Sequence, residues 1–129
     1  MTHTHHPGLL HTFRLQMDGW HYTEVFIWDS PESMWASNPR FGKGYYGLAT
    51  TGTALATATG NRIAHKFGEL HLYQNGYNTL TVAHEIMHLL NYWVQRKRWD
   101  LDKHDERIAC LCENLHKYFW EEHYKIYPS

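Results

Sequence analysis

The residues best suited to chemistry lie in one short motif, H-E-x-x-H, which runs from His84 to His88. The motif falls within an apolar-periodic run, Thr79 to Gln95, that predicts a helix. Because each helical residue turns the chain by about 100°, residues four apart lie on nearly the same face. Both imidazoles can therefore bind one divalent metal ion. Glu85 would lie beside that ion and could take a proton from metal-bound water.

The surroundings of the motif favour a helix that is buried along one side. Gly76 and Asn78 precede the run as turn residues, and Asn78 or Thr79 can cap its first backbone N–H groups. The basic run 96–98 suits the negative end of the helix dipole. The alternative is an ordinary core helix whose two histidines have no chemical role. The predicted core-facing stripe consists of Leu80, Val82, Ile86, Leu89, Leu90 and Trp93.

A catalytic zinc ion usually has three protein ligands and one position open to water, so a third donor is needed. Glu106 is the leading candidate, because it follows His88 by eighteen positions and lies in the first turn of a predicted final helix. A sharp connection between the two helices would bring this turn against the metal. His104, Asp105 and Glu113 are alternatives. Glu106 could also be an acidic residue that the helix dipole favours in a first turn.

These residues resemble those of a known enzyme class. H-E-x-x-H followed by a glutamate on the next helix is similar to the gluzincin class of zincin metallopeptidases. The segment Glu106-Arg107-Ile108-Ala109 resembles the E-x-x-A of small metallopeptidases from bacteria, their mobile elements and phages. The resemblance covers about a third of the chain, from Glu69 to Glu113, and no third histidine follows at metzincin spacing.

The resemblance implies a fold and a site. The fold would be a minimal zincin-like α+β domain, with a small, mostly antiparallel sheet packed on the H-E-x-x-H helix and a C-terminal glutamate helix. Zn²⁺ would be the cofactor and a peptide or protein the substrate. The resemblance assigns His84, His88 and Glu106 as zinc ligands and Glu85 as the general base.

Two further features of such a site can be sought in the sequence. An oxyanion needs an electrophilic helper near the metal, and His71, Tyr92 and His104 are candidates, although packing explains each of them equally well. The alternating segment Glu69 to Gln74 predicts a strand, which could hold an extended peptide if it forms the exposed edge of the sheet.

A second function from a different class remains open. Small proteins can keep a zincin fold and its zinc for stability while acting only by binding a protein partner. The substitution Glu85→Gln separates the two functions, because it should abolish hydrolysis while leaving zinc bound.

Composition limits the other possibilities. The 129 residues predict a single domain, 1–129, with residues 1–10 flexible. A net charge of −1 gives no reason to expect nucleic-acid or membrane binding, and no stretch has the length of a signal peptide or transmembrane helix. Two cysteines imply no disulfide framework, and Cys110 is expected to be a buried structural thiol. We expect a cytoplasmic protein, in the host cell if a phage encodes it; its oligomeric state cannot be predicted.

The remaining elements follow from periodicity and turn residues. Two strands, Thr12 to Met17 and Trp20 to Trp28, should flank a hairpin turn at Asp18-Gly19. The further predicted elements are a short helix from Ser30-Pro31-Glu32 that ends at Asn38-Pro39, a strand from Tyr45 to Thr50, a mobile loop from Thr51 to Asn61, and a final helix from Asp105 to His123.

Overall fold

The computed structural model describes residues 7–36, 45–50, 54–63 and 65–128, which form an α+β arrangement of five strands and three helices. The strands are β1 (Leu9–Gln16), β2 (Tyr22–Trp28), β3 (Tyr45–Thr50), β4 (Ala54–Ile63) and β5 (Lys66–Tyr73). The helices are α1 (Pro31–Ala36), α2 (Thr79–Lys97) and α3 (Asp105–Ile126). Within the described part of the chain, no helix is both long and apolar enough to cross a bilayer.

The five strands form one mixed sheet in the order β1-β2-β5-β4-β3. Three neighbouring pairs of the strands that the structure describes are antiparallel, and β2 and β5 run parallel. The strand predicted at Glu69 to Gln74 therefore lies in the middle of the sheet, as β5, and the expectation that it could be an exposed edge is wrong. A parallel pair of strands needs a crossover connection. Here the connection from β2 to β5 includes α1, β3 and β4, and β4 pairs with the side of β5 that faces away from β2. Among the described strands, the edges are β1 and β3.

The hairpin turn predicted at Asp18-Gly19 joins β1 to β2. Gly19 has a φ of 74°, a left-handed conformation that glycine adopts without strain. The N–H of Met17 donates to the carbonyl of His21 at 2.9 Å and closes the turn. Leu9 belongs to β1, so the flexible N-terminal segment predicted for residues 1–10 does not extend that far; residues 1–6 lie outside the described part.

The predicted mobile loop from Thr51 to Asn61 is wrong for its described portion, because residues 54–63 form β4. Ala54, Ala56 and Ala58 alternate along this strand and are fully buried in the core beside α2. Their small side chains let the helix lie close to the sheet. The alanines alternate with the two-residue period of a strand. The loop was predicted instead because the segment is rich in glycine, alanine and threonine.

Helix α2 begins where the sequence predicts. The side chain of Asn78 accepts from the N–H of Thr81 at 2.9 Å, which caps the first turn. The helix ends at Arg98, whose left-handed φ of 54° stops it. Five of the six predicted stripe residues are buried, whereas Leu80 is 80% exposed and does not face the core. The core lies between the sheet and the two long helices and includes Val82, Ile86, Leu89, Trp93, Leu111, Leu115 and Phe119.

The other predicted elements agree with the structure to within a few residues. Helix α1 starts with Pro31 in its first turn, while its predicted end at Asn38-Pro39 lies outside the described residues. Strand β3 has the predicted bounds. Helix α3 begins at Asp105 as predicted and continues three residues beyond His123.

Candidate metal centre

His84 and His88 lie one turn apart on α2, and their side chains converge. Their Nε2 atoms are 3.2 Å apart and their ring centroids 4.8 Å apart. His84 is exposed and His88 is half-buried. The buried residues Ile86 and Leu89 anchor the same stretch of helix in the core, so the pair is carried on a rigid support.

The separation of the two nitrogens fits a tetrahedral zinc ion. Zinc binds imidazole nitrogen at about 2.0–2.1 Å, which places two tetrahedral ligands roughly 3.3 Å apart. The observed 3.2 Å, at which the two rings form a hydrogen bond with each other, is close to that value. Burial and the nearby charge of His84 lower the pKa of His88. A lower pKa favours the neutral imidazole, which is the form that binds metal.

Two further residues of α2, Glu85 and Tyr92, are buried near the histidine pair. Glu85 is fully buried. Burial raises the pKa of Tyr92, and the negative charge of Glu85 raises it further, so the carboxylate and the phenol lie close enough to interact. The ring of Tyr92 also stacks on His88, with centroids 6.1 Å apart. Of the three predicted helper residues, Tyr92 is the one the structure brings to the histidine pair.

Glu106 lies elsewhere, in a groove between the end of β1 and α3 that we term the β1–α3 groove. The groove is a cavity of about 270 Å³ whose lining includes Met17, Asp18, Trp99, Glu106, Cys110 and Leu111. Over the described residues, no three His, Cys, Asp or Glu side chains are grouped so that they could hold a metal ion. The structure therefore does not bring Glu106 to His84 and His88.

The antiparallel course of the two long helices explains this position. Tyr77, just before α2, packs on Phe119 near the end of α3, with ring centroids 5.8 Å apart. At the opposite end, the Arg107 guanidinium lies 4.7 Å from the ring centre of Trp99, just after α2. The end of α2 at Lys97 lies nine positions beyond His88. At 1.5 Å per residue they span roughly 14 Å of helix axis.

The alternative third ligands are also away from the pair. His104 stacks on Trp99 at 5.6 Å, and its Nδ1 accepts from the N–H of Asp100 at 2.9 Å. Asp105 and Glu113 are exposed on α3, and neither belongs to a metal-binding group within the described ranges. As a predicted helper residue, His104 is likewise engaged with Trp99 and Asp100, beyond the end of α2, and not with the histidine pair.

His71 lies on the opposite face of the sheet from α2. Its neighbours Leu70 and Leu72 are in the core beneath the helices, so alternation along β5 directs His71 to the other side. There its Nδ1 accepts from the indole N–H of Trp28 at 3.0 Å, and its Nε2 lies 2.8 Å from Glu69. Both ring nitrogens are thus engaged in a buried network.

That network was not predicted from the sequence. We term it the Glu69 network, and it consists of Glu24, Trp28, Lys66, Glu69 and His71. Lys66 forms ion pairs with Glu69 and, at 3.0 Å, with Glu24. Burial alone would raise the pKa of Glu69, but the hydrogen bond and charge of His71 and the charge of Lys66 outweigh burial and hold it at about 2. The sequence E-L-H in β5 could have predicted the contact between Glu69 and His71, because alternate residues of a strand lie on the same face.

The prediction for Cys110 is wrong. Its side chain is exposed and lines the β1–α3 groove. Cys110 and Cys112 are both free thiols, in agreement with the expectation of no disulfide framework.

Comparison of the chain with protein-family models, with curated proteins and with solved structures finds no match. The resemblance to zincins consequently rests on the motif and on the local geometry of α2.

Proposed function

We propose that this chain is a zinc-dependent hydrolase of peptide bonds, with His84 and His88 as metal ligands and Glu85 as the general base. The observation that carries the proposal is the convergence of the two Nε2 atoms to 3.2 Å on a helix that also carries a buried carboxylate, Glu85, next to His84 in sequence. This combination of residue types at this spacing is what metal-assisted hydrolysis requires.

A bound zinc ion would supply a Lewis acid and a water of lowered pKa. The chain's own residues would transfer the proton and orient the ligands. Glu85 would accept the proton of that water and pass it to the leaving amine. Tyr92, stacked on His88, would keep that imidazole in the metal-binding orientation, and its hydroxyl is the nearest candidate for contact with a developing oxyanion.

The α+β architecture supports a zincin-like fold, since the H-E-x-x-H helix packs on a mixed sheet and against a second long helix. The two histidines account for two protein ligands. The third ligand implied by the resemblance, Glu106, would have to move from the β1–α3 groove to join them.

The distinguishing experiment compares wild-type protein with Glu85→Gln and with Glu113→Gln, a matched loss of one carboxylate from an exposed position of α3. Zinc content would be measured by elemental analysis on untagged protein, and cleavage on an unfolded protein substrate. We expect Glu85→Gln to keep its zinc and lose cleavage by a factor of roughly 100 or more, and Glu113→Gln to behave as wild type. Equal cleavage by all three proteins would refute the enzymatic proposal.

The second candidate function is a non-catalytic zincin-like protein that keeps its metal and binds a protein partner. Two observations favour it: only two ligands are grouped among the described residues, and Glu85 is fully buried rather than open to a water molecule. Under this alternative, wild-type protein and Glu85→Gln both bind zinc and neither cleaves.

A further inference from the structure

The β1–α3 groove lies apart from the histidine pair and has its own chemistry. Helix α3 runs antiparallel along strand β1. An Arg107–Asp18 ion pair of 2.6 Å joins helix and strand at one end, and near the other end the rings of His11 and Tyr127 make an edge-to-face contact with centroids 5.6 Å apart. Because β1 is an edge strand of the described sheet, the groove opens beside a row of outward-facing backbone groups.

The inner wall of the groove is apolar and its rim is polar. Met17 and Leu111 are buried beneath it. Four of the α3 residues that line the groove are spaced four positions apart and exposed to solvent: Glu106, Cys110, Asn114 and Tyr118. A cavity of roughly 150 Å³ accommodates a benzene-sized group. The 270 Å³ here is enough for one long side chain.

The charged residues of the groove indicate the charge of a side chain that could bind there. Asp18 and Arg107 neutralise each other in their ion pair. Among the described residues, Glu106 is then the groove charge without an ion-pair partner. A lysine or arginine side chain would lay its alkyl stem on Met17 and Leu111 and its cationic head against Glu106.

The free edge of β1 could hold the backbone of the segment that carries such a side chain. The N–H of Met17 donates to the carbonyl of His21, and from His11 to Leu15 the register pairs odd-numbered residues of β1 with odd-numbered residues of β2. In an antiparallel ladder, the alternate residues Thr12 and Arg14 then direct their N–H and C=O groups outward. We infer that β1 and the β1–α3 groove bind an extended segment of a partner protein, which adds to β1 as a strand and inserts one basic side chain against Glu106. This inference does not depend on the metal centre.

The test uses a capped pentapeptide with arginine at its centre and threonine or valine elsewhere, titrated into labelled full-length protein and followed by amide chemical shifts. A peptide with glutamate at the centre is the matched control. We expect the arginine peptide to shift amides of β1 and of the groove-lining part of α3, with a dissociation constant on the order of millimolar. Equal binding of the two peptides, or no binding of either, would overturn the inference.

Two variants separate the contributions of charge and strand. Glu106→Gln should weaken the arginine peptide by about tenfold, the loss expected for one charge-assisted hydrogen bond, whereas Glu113→Gln should change it by less than about twofold. Thr12→Pro removes an outward N–H at an edge position that tolerates proline, and should weaken the peptide but not agmatine, a free guanidinium compound. If agmatine binds as tightly as the peptide, or if Glu106→Gln binds like wild type, the inference fails.

Discussion

The ring of Tyr92 stacks on the imidazole of His88 with an interplanar angle of 20°. In the same arrangement, Nε2 of His88 lies 3.2 Å from Nε2 of His84. The proposed metal-binding geometry therefore involves three residues on successive turns of one helix, and each can be tested separately.

Removing either imidazole should remove the metal site. We expect His84→Ala and His88→Ala each to weaken zinc binding by about tenfold or more, because a single histidine cannot chelate. His116→Ala, a half-buried histidine of α3, is the matched control and should bind zinc as wild type does. Isothermal titration of untagged protein measures all three. Unchanged affinity in both α2 variants would contradict the assignment.

The position of Glu106 leads to a second prediction about the metal. Since Glu106 lines the β1–α3 groove, Glu106→Gln should leave zinc affinity within about twofold of wild type, as should Glu113→Gln. A selective loss of zinc in Glu106→Gln would mean that the first turn of α3 reaches the histidine pair in solution. The same titration distinguishes the two arrangements.

The Glu69 network should make the protein acid-sensitive. The folded pKa of Glu69, about 2, lies below its ordinary value of 4.5, so its contribution to stability is fully present above pH 4.5 and is lost as pH falls toward 2. This loss should amount to roughly 2 to 3 kcal/mol of unfolding free energy. Burial also lowers the pKa of His71, which adds a loss as pH falls below 6.5.

Urea unfolding midpoints measured from pH 7 to pH 2 test this dependence. Glu69→Gln should be less stable at neutral pH and should lack the decline between pH 4.5 and 2, whereas Glu113→Gln should retain it. An identical pH profile in wild type and Glu69→Gln would show that the network does not set the acid response.

The close approach of α2 to β4 predicts the effect of overpacking. Ala56 is fully buried in the core beneath the helix. Ala56→Leu should destabilise the protein by about 1 to 3 kcal/mol, because the added atoms have to displace the helix or adopt strained rotamers. Ala109→Leu, at an exposed position of α3, should change stability by less than about 0.5 kcal/mol. A neutral Ala56→Leu, measured by urea unfolding, would contradict the packing described for β4.

Elements with a strong period or a clear stop signal could be predicted from the sequence. The bounds of β3, the hairpin turn and the Asn78 cap were all predictable, because turn and cap residues act locally. The strand order was not, because nothing local to β5 specifies that it pairs in parallel with β2. The Ala-rich β4 was missed because its strand character depends on burial beneath α2 rather than on intrinsic preference.

In the candidate site, too, the locally determined features were predictable and those that depend on tertiary packing were not. His84, Glu85 and His88 lie within a single turn of helix, so their grouping follows from helical geometry alone. Tyr92 joins them for the same reason. The position of Glu106 depends on how α3 packs against α2 and β1, and eighteen residues of sequence spacing do not determine that packing. His71 could have been placed correctly from the alternation of its neighbours Leu70 and Leu72.

The most direct measurement is anomalous scattering at the zinc absorption edge from crystals of untagged protein grown with zinc. We predict one peak at about 2.0–2.1 Å from Nε2 of both His84 and His88. A map with no peak at this pair, or refined coordinates in which the two rings diverge, would contradict the metal centre and with it the proposed function.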